Sequence, residues 1–188
     1  MKRWLWLVML VGLFGCGPEA PPELDPVFVI MCGDVDPEEP PHPCCTGFAL
    51  GNEVVTANHC VAGETAVLVS NRQWLDTSND FQIGNVLRRE PALDIAWLSA
   101  KLDGPGLRQG GPVTRGDQVR ALTRSGVWLG TANERTGIFW LSSLDTDLGD
   151  SGSAIIDGAG FAVGVLTDCL TMTGRECDPQ TGIFTELP

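Results

Sequence analysis

The sequence has few positive charges and no long hydrophobic run, and each absence narrows what it can be. Only 12 of its 188 residues are Lys or Arg, never more than two in succession, against 24 Asp and Glu, for a formal net charge of -12. Without a basic patch there is no electrostatic footprint for a phosphate backbone, so nucleic acid is not expected as a partner. The longest apolar run, Trp4 to Phe14, is eleven residues, too short for a membrane-spanning helix. Histidine is limited to His42 and His59, and the cysteines include no paired C-x-x-C units; zinc frameworks need such pairs, so no metal is expected, and no organic cofactor is expected either. No segment sustains a helical period, and no internal repeat occurs. Charged residues are only 19% and hydrophobic ones 43%, a balance that argues against wholesale disorder and provides one domain's core.

What is present begins with an address. Lys2 and Arg3 precede the apolar run, which ends in Gly15-Cys16; this is the pattern of a secretory signal over residues 1–15. Leu13-Phe14-Gly15-Cys16 resembles a bacterial lipobox, and that resemblance implies acylation of Cys16 and cleavage just before it. An ordinary cleaved signal, leaving Cys16 a free thiol, is the alternative. Without Lys2 and Arg3 the chain carries ten basic residues against 24 acidic, a net charge of -14. Residues 16–26, rich in proline and acid, read as an extended lipidated tether. Residues 34–43 read as an exposed acidic loop, with Val27 to Met31 between them as the first strand. The expected location is the cell envelope, with the domain (27–188) outside the cytoplasm and the lipid its sole membrane contact.

From Thr46 onward, brief apolar or alternating runs are separated by Gly, Asn and Asp. They are Gly47–Leu50, Val54-Val55, Ala66–Val69, Phe81–Leu87, Ile95–Leu98, Gln118–Thr123, Val127-Trp128, Ile138–Leu141, Ala154–Ile156 and Phe161–Thr167. Gly51-Asn52 and Asp157-Gly158 sit where hairpin turns would. Short strands at this spacing predict an all-β sandwich or barrel.

Three segments carry chemistry: Thr56-Ala57-Asn58-His59-Cys60, Asp94-Ile95-Ala96-Trp97-Leu98 and Gly149-Asp150-Ser151-Gly152. In this order they resemble the trypsin and chymotrypsin family of serine peptidases, over roughly residues 27 to 188. Cys45-Thr46-Gly47-Phe48, Gly116-Asp117 and Gly182-Ile183-Phe184-Thr185 resemble family strands and turns. The resemblance implies a two-barrel antiparallel chymotrypsin-like fold, here without the C-terminal helix, and a catalytic set of His59, Asp94 and Ser151. A serine hydroxyl needs a base to take its proton, and histidine titrates near neutrality; His59 is the candidate, because His42 lies between two prolines in the acidic loop. Asp94 would hold the imidazole, and the amides of Gly149 and Ser151 would form the oxyanion hole. No activation segment of the zymogen kind is found, so Asp150 is expected to pair with an internal arginine or with backbone amides.

Further expectations rest on the same resemblance. Asp145, six residues before Ser151, stands where trypsin-like members bind a basic side chain, although Asp147 or neither acid could fill that role. Leu166 and Thr167 match the strand that binds substrate backbone, but Asp168-Cys169 replaces the usual aromatic and glycine. An exported chain keeps disulfides, and six cysteines besides Cys16 suggest three: Cys45–Cys60, Cys32–Cys44 and Cys169–Cys177, with Cys44 and Cys45 interchangeable. The implied activity is that of an endopeptidase acting on protein or peptide substrates. The rival is a catalytically inactive, lipid-tethered binding module that uses the same cleft to hold a partner.

Overall fold

Glycine and asparagine at a hairpin tip permit the left-handed backbone that a two-residue turn requires. Gly51, at φ 58°, makes that turn between β2 (His42–Leu50) and β3 (Glu53–Ala57), with Leu50 opposite Glu53. These elements belong to a computed structural model that describes residues 26–32, 42–71, 81–102, 104–169, 178 and 180–188. The signal, Cys16, the tether to residue 25 and most of the acidic loop lie outside the described residues. His42 and Pro43, read from sequence as part of that loop, open β2 instead: β1 (Val27–Cys32) runs antiparallel beside them, with Cys32 opposite His42.

The first barrel is completed by β4 (Ala66–Asn71), β5 (Gln82–Glu90) and β6 (Ile95–Ser99), in the closed order β1-β2-β3-β6-β5-β4. The second contains β7 (Gln118–Thr123), β8 (Gly126–Thr136), β9 (Phe139–Ser142), β10 (Ala154–Ile156), β11 (Ala162–Cys169) and β12 (Gly182–Glu186), closed as β10-β11-β12-β9-β8-β7. All pairings between these twelve strands are antiparallel. This is the two-barrel chymotrypsin-like fold, and closure removes the long sheet edges that would otherwise template aggregation.

Alternation explains which strands look apolar throughout. On β3 and β6, Val54, Ala96 and Leu98 fill the first barrel with Phe28, Ile30 and Val69. Their neighbours Val55, Ile95 and Trp97 point the other way, into a second layer shared with Phe48, Ala154, Ile156, Ala162 and Val165. Both faces are buried, so these strands read as continuous apolar runs. That shared layer joins the barrels; Phe48 is fully buried in it, and its truncation to Ala would cost roughly 3–5 kcal/mol. The linker adds backbone ties: Leu107 bonds Ala49 and Gly51 of the first barrel, and Arg108 and Gly110 bond Ala162 of the second. In the second core, Trp140 stacks on Phe184 with ring centres 6.4 Å apart.

Candidate active site

The segment after β3 tightens into one 3-10 turn, Asn58–Val61, stapled to β2 by a disulfide between Cys45 and Cys60. His59 sits on this turn with its side chain half exposed. Asp94 ends the turn before β6 in the left-handed region, at φ 53°, a conformation that Asp tolerates better than most residues. There its carbonyl accepts the Asn58 amide at 2.9 Å, and both carboxylate oxygens meet His59: Oδ1 accepts the backbone N–H at 2.9 Å and Oδ2 lies 2.7 Å from Nδ1. Two contacts fix the ring's orientation and leave Nε2 as the nitrogen free for proton transfer. The same hydrogen bond raises the His59 pKa above its ordinary 6.5, against the opposing effect of burial, with smaller contributions from the charges of Asp94 and Asp168.

Ser151 lies across the barrel interface. Gly149 and Gly152, at φ 92° and 90°, let residues 147–153 fold into consecutive turns, in which the Asp150 amide donates to Asp147 O and the Ser153 amide to Asp150 O. The first barrel grips this loop through Thr46, whose amide donates to Ser151 O at 2.8 Å and whose hydroxyl donates to Gly149 O at 2.9 Å. Among the described residues, nothing accepts the amides of Gly149 or Ser151, the two donors expected of an oxyanion hole. The Ser151 hydroxyl itself donates to the Thr167 carbonyl at 3.4 Å.

Asp150 is buried, 1% exposed. Its Oδ2 accepts the Asp147 amide at 3.0 Å, it is hydrogen-bonded to the Thr123 side chain, and it feels the nearby Arg124 guanidinium. Burial outweighs these and raises its pKa. Arg124 also donates to Leu148 O and Pro43 O, and covers Gly149 so closely that a Cβ there would fall 2.7 Å from Nη2. An internal arginine and a backbone amide are thus both at Asp150. Arg124 and Thr46 escaped the sequence reading. The signal for Arg124 is a lone cation in the turn Thr123-Arg124-Ser125-Gly126; Thr46 has none beyond its place beside Cys45.

Asp145 is exposed, while its neighbour Thr146 is buried. Leu166 is buried in the second core, and its N–H and C=O bond Ser153 and Gly152, so it buttresses the serine turn. Thr167 and Asp168 remain beside the cleft. Cys44 and Cys169 are also disulfide-bonded; their expected partners, the Cys32 side chain and Cys177, lie outside the described residues. Cys45, His59 and Cys60 offer ligand atoms within 4.8 Å of one another, but both sulfurs are spent in the disulfide.

Residues 45–165, which contain all three motif segments, match the family model described as a trypsin-like peptidase domain. The chain belongs to this family. Solved structures agree on the fold. The HtrA-type protease AlgW with a decapeptide superposes with a TM-score of 0.69 at 18% identity, over 87% of this chain and 61% of that one. The active form of the Rv3671c protease from M. tuberculosis gives 0.64 at 22%, over 87% and 77%. A human pathogenic astrovirus serine protease gives 0.62 at 22%, over 88% and 91%. The chain therefore spans under two thirds of AlgW's length. No curated protein matches it by sequence.

Proposed function

We propose that this peptidase is an exported, lipid-anchored endopeptidase that cuts peptide bonds through an acyl-enzyme on Ser151. The observation that carries the reading is the two-point grip of Asp94 on His59, at 2.9 and 2.7 Å; Ser151 bonds Thr167, which lines the same cavity as His59. His59 Nε2 takes the Ser151 proton as Oγ attacks the substrate carbonyl, and the same proton passes to the leaving amine. The carbonyl oxygen becomes an oxyanion, which the Gly149 and Ser151 amides meet; one such donor contributes about 3 kcal/mol. Water, deprotonated by His59, then releases the acyl group and restores the serine. The chemistry uses side chains and backbone amides alone. Export and anchoring rest on Lys2, Arg3, the apolar run and Leu13-Phe14-Gly15-Cys16. The structural neighbour AlgW with its bound decapeptide supports a peptide substrate.

One observation favours the rival binding module: the Ser151 hydroxyl donates to Thr167 O. A rotation about χ1 suffices to release it, and the intact base and orienter favour the enzyme. Labelling the full chain in detergent with a fluorophosphonate, with Ser151→Ala as control, decides between them. Labelling that disappears in the variant supports the peptidase reading; a folded protein that never labels favours the binding module. Metabolic labelling with an alkynyl fatty acid, lost in Cys16→Ser, tests the anchor.

A further inference from the structure

A cavity of about 540 Å³ opens beside the catalytic histidine, lined by His59, Asp94, Phe139, Thr167, Asp168 and Ile183. Its composition is lopsided. Among the described residues it holds two carboxylates and no Lys or Arg. Asp94 has both oxygens committed to His59. Asp168 does not: Oδ1 accepts the Cys169 amide at 2.7 Å, and among the described residues nothing bonds the other oxygen. Asp168 is exposed and follows the register shift between Leu166 and Asp168, where β11 departs from regular pairing with β12.

The walls around this free carboxylate are apolar. Ile183 stands opposite Asp168 across the strand pair, and Phe139 lines the same cavity from the start of β9. Apolar walls with one unpaired carboxylate match a side chain that has an aliphatic stem and a cationic head. The Asp168 charge already reaches the catalytic histidine, whose pKa it helps to raise. At a net charge of -12, the whole chain also attracts positively charged peptides before contact.

We propose that Asp168 makes this cavity a subsite for a lysine or arginine side chain, so that the peptidase selects peptides with a basic residue within three positions of the cleaved bond. The inference rests on the peptidase reading and names its substrate class. The subsite is separate from Asp145, which does not line the cavity. A basic side chain seated there also neutralises the second negative charge near His59 and lowers its pKa in the complex.

The test uses the full chain in detergent and internally quenched peptides that differ only by Lys, Met or Glu at each of the six positions flanking one cleavable bond. At one position, kcat/KM for Lys should exceed that for Glu by about tenfold, the scale of a charge-assisted contact at a partly exposed site. Asp168→Asn should bring that ratio close to one, and Asp168→Lys should invert it, an outcome that misfolding does not produce. A ratio that survives both variants, or that collapses in Asp145→Asn instead, overturns the proposal. Fluorophosphonate labelling of the unmodified chain separates two failures: labelling without a charge preference sinks the subsite alone, and no labelling sinks the peptidase reading with it.

Discussion

Thr46 and Gly149 belong to different barrels, and a 2.9 Å hydrogen bond from the threonine hydroxyl to the glycine carbonyl joins them. The same threonine's amide holds Ser151 O, and its carbonyl accepts the Thr56 hydroxyl at 2.7 Å. One buried residue of the first barrel therefore fixes two carbonyls of the loop that carries Ser151. Thr46→Val keeps the shape and removes the hydroxyl, leaving the Gly149 carbonyl unsatisfied at a cost of about 1–3 kcal/mol. The expected result is a lower thermal midpoint and a fluorophosphonate labelling rate reduced about tenfold or more; an unchanged rate would show that the loop holds itself.

Gly152 meets that contact from the other side. A Cβ at this position would lie 1.9 Å from Thr46 O and 2.4 Å from Thr56 Oγ1, on a backbone at φ 90°. Neither neighbour is a flexible side-chain end, so the barrels must separate to admit a methyl group. Gly152→Ala is expected to lose about 4 kcal/mol or more, read as failure to fold or a collapse of the thermal midpoint. Gly158→Ala, with open space around it, is the control and should melt close to the parent.

Activity should fall on the acid side with an apparent pKa above 6.5, because the hydrogen bond to Asp94 raises the His59 pKa and only neutral imidazole accepts the serine proton. Asp94→Asn removes the largest cause of that shift. The acid limb of kcat/KM should move to lower pH, and kcat should drop by about 10⁴ as the tautomer is lost. A limb that stays in place would assign the titration to another group.

Asp150 makes the opposite kind of statement. Its carboxyl is raised from the ordinary 3.8 by burial, so the folded state holds that proton more tightly than the unfolded chain does. The associated stability is fully present below the unfolded value and is lost as pH rises through the folded one, which leaves a buried charge as a net cost at neutrality. Asp150→Asn should be at least as stable as the parent at pH 7 by urea denaturation, with the difference shrinking toward pH 3.5. A parent more stable than the variant at pH 7 would show that Arg124 and the Asp147 amide more than offset the burial.

Much of this was legible before any coordinates, for physical reasons that also explain the gaps. β7 and β10 fall on the residues the pattern names because their inward positions are apolar and their neighbours are turn formers. The second half of β8 was not legible: Glu134, Arg135 and Thr136 are exposed, so no alternation marks them as a strand. The turn after Ile156 needs its left-handed residue at Gly160, φ 89°, with Asp157 capping the Ala159 and Phe161 amides; Asp157-Gly158 alone suggested a tighter hairpin. Motif order groups His59, Asp94 and Ser151 by resemblance, and the structure pairs His59 with Asp94, but no local pattern encodes Thr46 reaching Gly149 across 103 residues.

The loop that carries Ser151 is held in shape from within the uncleaved chain. An amino terminus released by cleavage near residues 27–34 would arise in or beside β1, which is paired on both edges, with β2 and with β4. Freeing it would open the first barrel, whereas Asp150 is already engaged by the Asp147 amide, the Thr123 side chain and the charge of Arg124. Arg124 spans the loop by donating to Leu148 O and Pro43 O while covering Gly149. The uncleaved domain should therefore react with fluorophosphonate without trimming. Arg124→Gln should lower kcat more than it raises KM, because the guanidinium braces the loop that carries Gly149 and Ser151, the proposed oxyanion donors, and Arg124→Lys should restore only part, since a point charge reproduces the attraction to Asp150 and not the planar two-carbonyl bridge. Reactivity that appears only after cleavage within residues 27–34, or an Arg124→Gln enzyme with unchanged kcat, would assign the loop's order to some other group.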